Sequence, residues 1–249
     1  MKKQKAWAIP SSAGITWESA LVKKQQKVYI LGGGHFGQRA LKTLQDRFQP
    51  HHLTLVDIQP AAIKDAETSG GHAVCMDAIS FLFSNPDEIA PDSWIVPAVP
   101  IHVAYEWMRE KMKTDVVAAL PVPEDLLPLV PNPMRGSAGQ IYTSIATFVC
   151  PDNCPEPKNY CTVTGKARPQ ILWETLSGLA LPQFRSVCLV SSQLAPGVGG
   201  YQLKQLTAAY RQVVRKPGGI LFSTACKCHG VLHAFRWHPK GAVNSVSTR

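Results

Sequence analysis

The sequence predicts an α/β protein, with a doubly wound parallel sheet over the first half and a cysteine-rich α/β region after it. Three observations point there. Short apolar, β-branched runs alternate with amphipathic stretches between Lys27 and Met112. The first of those runs opens directly into a glycine-rich loop, and five of the seven cysteines fall in two tight clusters, at 150–161 and 226–228. Alternation at these lengths is the pattern of strands joined by crossover helices, which forces the strands to lie parallel.

The first element is Lys27-Val28-Tyr29-Ile30-Leu31, an apolar run suited to a strand buried on both faces. It leads into Gly32-Gly33-Gly34-His35-Phe36-Gly37, where Gly32, Gly34 and Gly37 match G-x-G-x-x-G. In such a loop the first glycine permits a tight turn and the second lets backbone approach a pyrophosphate. The third allows close helix–strand packing. His35 and Phe36 occupy the variable positions, where side chains can touch a bound cofactor. A helix over 38–48 follows, with Ala40, Leu41, Leu44 and Phe48 on or near one face. Its N-terminus offers free N–H groups and the positive dipole end to phosphates.

A second strand, Leu53 to Val56, ends in Asp57, 20 residues after Gly37. An acid there accepts hydrogen bonds from the adenosine ribose hydroxyls and repels a 2′-phosphate, so the expected ligand is NAD(H). The alternation continues with a helix over 61–69, a strand over 72–76 ending at Asp77, and a short apolar stretch over 79–83. A strand over 94–99 and a helix over 101–112 complete it. Strand, glycine loop, helix, strand and acid in this order predict a Rossmann-type domain over 26–119, preceded by a basic extension over 1–25. The alternative is a fold that keeps the glycines for packing only.

The segments VYILGGGHFGQRAL from Val28, Leu55-Val56-Asp57 and Ala73 to Ala78 resemble the TrkA-N type of nucleotide-binding domain, which regulates potassium channels and transporters. The resemblance covers about residues 27–113. It implies an NAD(H)- or adenine-nucleotide-sensing domain, with Asp57 on the ribose, Asp77 near the adenine, and dimerisation. The triple-glycine start is also similar to that of the sirohaem-pathway dehydrogenases.

Residues 120–249 are read as a cysteine-rich α/β region with a candidate metal site. A proline-rich stretch over 120–133 reads as a linker or wrapped loop. Cys150, Cys154 and Cys161 give C-x3-C-x6-C in a turn-rich loop. Cys226-Lys227-Cys228-His229 gives C-x-C-H after a strand over 220–223. Together they offer enough ligands for a four-coordinate site. The spacing is neither a zinc ribbon nor a ferredoxin run, and zinc and an iron–sulfur cluster both stay open. Buried structural cysteines, or a reactive dithiol at Cys226 and Cys228, are the alternatives. Cys75 and Cys188 lie in apolar runs and read as core residues.

A further strand over 185–191 is followed by Gly197-Val198-Gly199-Gly200 and a helix over 201–214. This is either a second anion site or a plain glycine turn. The strands near 186 and 220 either belong to a separate region or extend the first sheet. His233 reads as structural.

Composition narrows the classes. The chain has 249 residues, 45% hydrophobic and 17% charged, enough for one large or two modest cores. No apolar run reaches the roughly 18 residues of a membrane span, and no secretory leader is evident, so a cytoplasmic protein without a disulfide framework is expected. Residues 1–120 carry 13 basic and 12 acidic side chains, and residues 121–249 carry 13 and 5. Thiolates would cancel much of that excess, so nucleic acid is not the expected partner. The expectation is a nucleotide-sensing regulatory protein with a metal or redox centre, partnered by a transport or redox protein. The alternative is an NAD-dependent oxidoreductase that uses a cysteine-ligated iron–sulfur cluster or zinc.

Overall fold

The computed structural model describes residues 26–68, 70–84 and 89–240; the basic extension expected over 1–25 lies outside them. The architecture is mixed α/β, built on two sheets. In the first, β1 (Val28–Leu31), β2 (Leu53–Asp57), β3 (His72–Cys75) and β4 (Trp94–Pro97) pair in parallel, in the order β3-β2-β1-β4. They are parallel because helices fill the connections: α1 (His35–Leu44), α2 (Pro60–Thr68) and α3 (Ala78–Ser84).

All four residues of β1 are buried, since both faces of the sheet are covered. Val28 and Ile30 pack with Ala40, Leu41 and Leu44 of α1, whose buried positions recur at helical spacing. Tyr29 and Leu31 face the other way, toward Phe81 of α3 and Met108 of α4 (Val103–Lys111). Cys75, expected in the core, is exposed, because β3 is the edge strand of this sheet.

Further along, β5 (Val116–Leu120) starts the second sheet inside what reads as the approach to a linker. The proline-rich stretch is partly ordered, as a 3-10 turn over Glu124–Leu129 with Leu126 buried. Next come β6 (Met134–Arg135), β7 (Ile141–Ser144), α5 (Leu172–Ser177) and β8 (Phe184–Val190). The chain then returns to the first sheet. β9 (Ser192–Ala195) and β10 (Val198–Gln202) form a hairpin, and β10 pairs antiparallel with β4, so the six-stranded sheet is mixed.

The expected glycine loop at 197–200 is therefore a turn followed by a strand, and the helix begins later, as α6 (Leu203–Val214). The glycines serve strand contact, since a Cβ at Gly200 would lie 2.6 Å from the Ile95 carbonyl oxygen. The strands near 186 and 220 do not extend the first sheet. β8 pairs in parallel with β11 (Gly218–Ala225), and β11 pairs antiparallel with β12 (His229–His238). The far edge of β12 is shared by β7, along 229–232, and β5, along 234–238.

One core joins the sheets. Leu31 and Ile95 of the first share it with Phe222 and Phe235 of the second, with α3, α4 and α6 contributing from between them. A polar tie crosses this layer. His102, just before α4, places Nδ1 2.9 Å from His233 Nδ1 and Nε2 2.8 Å from Thr224 Oγ1. His233 stacks on Tyr105 at 3.8 Å between centroids.

Burial, chiefly, holds both imidazoles neutral: His233 falls to about 4, and His102 lies well below the ordinary value. The unfolded chain takes up protons at both histidines below about pH 6.5, while the folded protein resists protonation until about pH 4. The stability this pair contributes is thus present at neutral pH and lost as pH falls through that window. Urea titrations from pH 7 to pH 4 are expected to lose roughly 2 kcal/mol more in the native protein than in a His233→Phe variant.

Candidate functional site

The glycine loop sits at the carboxyl ends of the parallel strands, and its glycines divide the work. Gly32 has φ +111, and a Cβ there would meet the Ala98 carbonyl oxygen at 2.7 Å. At Gly37 a Cβ would stand 1.8 Å from the Gly32 carbonyl oxygen, so only glycine lets α1 start this close to β1. Gly34, by contrast, has nothing within 4 Å of where its Cβ would be, leaving its backbone open to a ligand.

Asp57 closes the arrangement. Its Oδ2 accepts the Gly33 N–H at 2.5 Å and its Oδ1 accepts the Gln59 N–H at 2.7 Å. The acid expected on a ribose thus stands beside the loop. Asp77 has a local task, capping α3 by accepting the N–H groups of Ile79 and Ser80 on Oδ1.

The two cysteine clusters come together. Cys150, Cys154, Cys161, Cys226, Cys228 and His229 all line one cavity of about 590 Å³. No three His, Cys, Asp or Glu side chains among the described residues form a group that could hold a single metal ion. These side chains share a cavity wall without converging on one point.

Several devices hold this wall. Cys161 opens a tight turn in which its carbonyl accepts the Gly165 N–H. The backbone amides of Thr164 and Val163 bond its sulfur and pull its pKa down. Cys226 receives the N–H groups of Cys228 and His229 at 3.4 Å each. Burial dominates there, and with the Glu156 carboxylate beside it the Cys226 thiol is pushed up to about 12. Arg168 donates Nε–H to Cys228 Sγ at 3.0 Å and clamps the carbonyls of Pro157, Lys158 and Tyr160. Burial still outweighs that cation and raises Cys228. Cys150 is raised too, first by burial and then by Cys154, Cys228 and Cys161. His229 is held neutral by burial, against the opposing pull of Glu156, with Nδ1 3.9 Å from Cys226 Sγ.

The first sheet carries one side of the cavity. The Cys154 carbonyl accepts the Gly197 N–H at 2.9 Å and the Gln193 amide at 2.7 Å. Asp152 Oδ2 lies 3.4 Å from His35 Nε2, and Phe36 is part of the cavity wall. The glycine loop and the cysteine loop are therefore neighbours.

The family model AF_1314_C, described as the C-terminal domain of an uncharacterized protein, matches residues 104–238, more than half of the chain. This chain belongs to the AF_1314_C family. The AF_1314_C region holds all the cavity-lining cysteines and the return of β9 and β10 to the first sheet, whereas the glycine loop precedes it. A relative from Archaeoglobus fulgidus, itself described as an uncharacterized protein, is 27% identical over 222 residues, covering 83% of this chain and 98% of its own length. No solved structure matches. Among the described residues, no helix of this AF_1314_C member is long and apolar enough to cross a membrane.

Sequence reasoning missed Glu156, Arg168 and the docking role of Gly197. Glu156 is a largely buried acid whose carboxylate accepts the Lys227 N–H at 2.8 Å, and its backbone sits at φ +43. Nothing in its local sequence announces a partner 71 residues away.

Proposed function

We propose that this chain is an NAD(H)-binding regulatory protein whose dinucleotide site is coupled to a cysteine-ligated metal or redox centre in the adjoining cavity. The observation that carries the reading is the division of labour in the glycine loop. Gly32 and Gly37 are sterically obligatory, Gly34 is open, and Asp57 stands within hydrogen-bond distance of the loop. The parallel order β3-β2-β1-β4, with helices over both faces, supports a Rossmann-like, doubly wound reading of this part of the sheet. Seven free cysteines fit a reducing, cytoplasmic setting. The resemblance to TrkA-N domains extends the proposal to a homodimer that answers to a transport or redox protein.

Calorimetric titration is expected to give tighter binding of NADH than of NADPH, because Asp57 repels a 2′-phosphate. An Asp57→Ala variant is expected to bind NADH about 10- to 100-fold more weakly, the cost of losing charge-assisted bonds to ribose. Equal affinity in the variant and the native protein would remove Asp57 from the site.

One observation favours an NAD-dependent oxidoreductase as a second reading. Phe36, in the glycine loop and 60% exposed, is also part of the thiol-lined wall, so a nicotinamide near it would face the centre. Steady turnover of NADH with an added electron acceptor selects this reading. Tight binding without turnover keeps the regulatory one.

A further inference from the structure

We infer that the thiol-lined cavity seats an iron–sulfur cluster ligated by Cys150, Cys154, Cys161 and Cys228. The inference rests on the proposed reading only in taking the cavity for a metal centre. The donor set is sulfur, the chemistry that selects zinc, copper(I) or iron–sulfur clusters over hard cations.

Geometry then separates these. A lone zinc needs its sulfurs about 2.3 Å from one point, whereas here they line the wall of a cavity of about 590 Å³. A cluster carries its own inorganic sulfides between the irons, so its cysteine ligands stand further apart, as thiols spread over one cavity wall do. Cys150, Cys154, Cys161 and Cys228 all belong to this one wall.

The surroundings suit ligand sulfurs. The Arg168 guanidinium donates to Cys228 Sγ at 3.0 Å, the kind of hydrogen bonding that tunes clusters. Ile145, Phe148 and Val198 add apolar wall. Cys150 and Cys154 are each followed by proline, as recurs beside cluster ligands. The Glu156 carboxylate, held at 2.8 Å by the Lys227 N–H, puts a negative group beside Cys226 that opposes a further thiolate there, so Cys226 is assigned to the wall. Each iron–thiolate bond replaces an S–H bond, whose proton goes to solvent. Ferric iron, sulfide and a thiol reductant are the co-reactants: the ferric ions supply the oxidising equivalents of the coloured cluster, and the reductant supplies the electrons for any ferrous iron it contains.

The test is anaerobic reconstitution of the full chain with ferric iron, dithiothreitol and sulfide. Metal and sulfide analysis, visible absorption, circular dichroism and an NADH titration are run on the same samples. The expected product is brown, bleaches with dithionite, and holds about two to four irons with matching sulfide per chain. Cys150→Ser, Cys154→Ser, Cys161→Ser and Cys228→Ser are each expected to lose the chromophore while retaining their circular dichroism. Cys75→Ser, Cys188→Ser and Cys226→Ser keep it.

One zinc per chain without sulfide would overturn the cluster, and so would a folded, NADH-binding protein that retains no metal. Loss of the chromophore in Cys226→Ser but not in Cys228→Ser would overturn the ligand assignment. A stoichiometric cluster in a protein that binds no NADH would leave this inference standing and remove the dinucleotide reading instead.

Discussion

A Gly197→Ala substitution is expected to undock the cysteine loop from the first sheet and to cost about 3 kcal/mol of stability. Two effects add. Gly197 lies at φ +70, where an L-residue pays roughly 1–2 kcal/mol. A Cβ there would also stand 1.5 Å from the Asp152 carbonyl oxygen, so backbone must move. The segment that has to yield carries Cys150 and Cys154, and the Gly197 N–H is one of the two donors to the Cys154 carbonyl. Urea unfolding reads the stability. Thiol labelling of the apoprotein reads the loop, with Cys150 and Cys154 expected to react about tenfold faster than in the native protein, about 1.4 kcal/mol of easier opening. Unchanged labelling and an unchanged midpoint would show that the turn between β9 and β10 does not hold the loop.

The second large effect is expected at Gly37. Alanine there brings Cβ to 1.8 Å from the Gly32 carbonyl oxygen, at the tightest approach of α1 to the turn after β1. Overpacking against backbone costs about 3 kcal/mol, and the displaced turn carries Gly33 and Gly34 with it, so NADH binding is lost as well. Gly34→Ala separates the two consequences. A Cβ at that position meets nothing in the protein, so the variant is expected to melt within a degree or two of the native chain, yet to bind NADH at least tenfold more weakly, since the methyl group occupies the approach path of the phosphates. Equal NADH affinity in Gly34→Ala and the native protein would place the phosphates elsewhere. Full stability in Gly37→Ala would contradict the packing at the turn.

The contrast between these glycines marks how far the residues could be read in order. The loop from Gly32 to Gly37 was legible because its chemistry is local: a strand, a turn and a helix within a short span carry all the constraints. Gly197 was not. The chain order groups it with Gly199 and Gly200 as a glycine loop before a helix, whereas the close approach of Asp152, distant in sequence, is what leaves no room for a side chain there. Glu156 and Arg168 are the same case. One accepts from Lys227 and the other donates to Cys228, partners set by how the segment after Cys150 folds back on the end of β11. His102 and His233 meet at 131 residues' separation and leave no periodic trace in the chain.

By itself the sequence determined the local grammar of this protein: the parallel strands β1 to β4 with their crossover helices, the glycine loop, the acid at the end of β2, and the two groups of cysteines. These follow from apolar periodicity and from residues whose backbone freedom or side-chain chemistry acts within a few positions. Only the tertiary structure decided which distant pieces meet. It returned β9 and β10 to the first sheet, assigned β5 to the second, and gathered five thiols, Glu156 and Arg168 around one cavity against the glycine loop. The physical reason is that hydrophobic burial and backbone hydrogen bonding specify that a strand must find an edge and a face. Which edge and which face is settled by the packing of the whole chain at once.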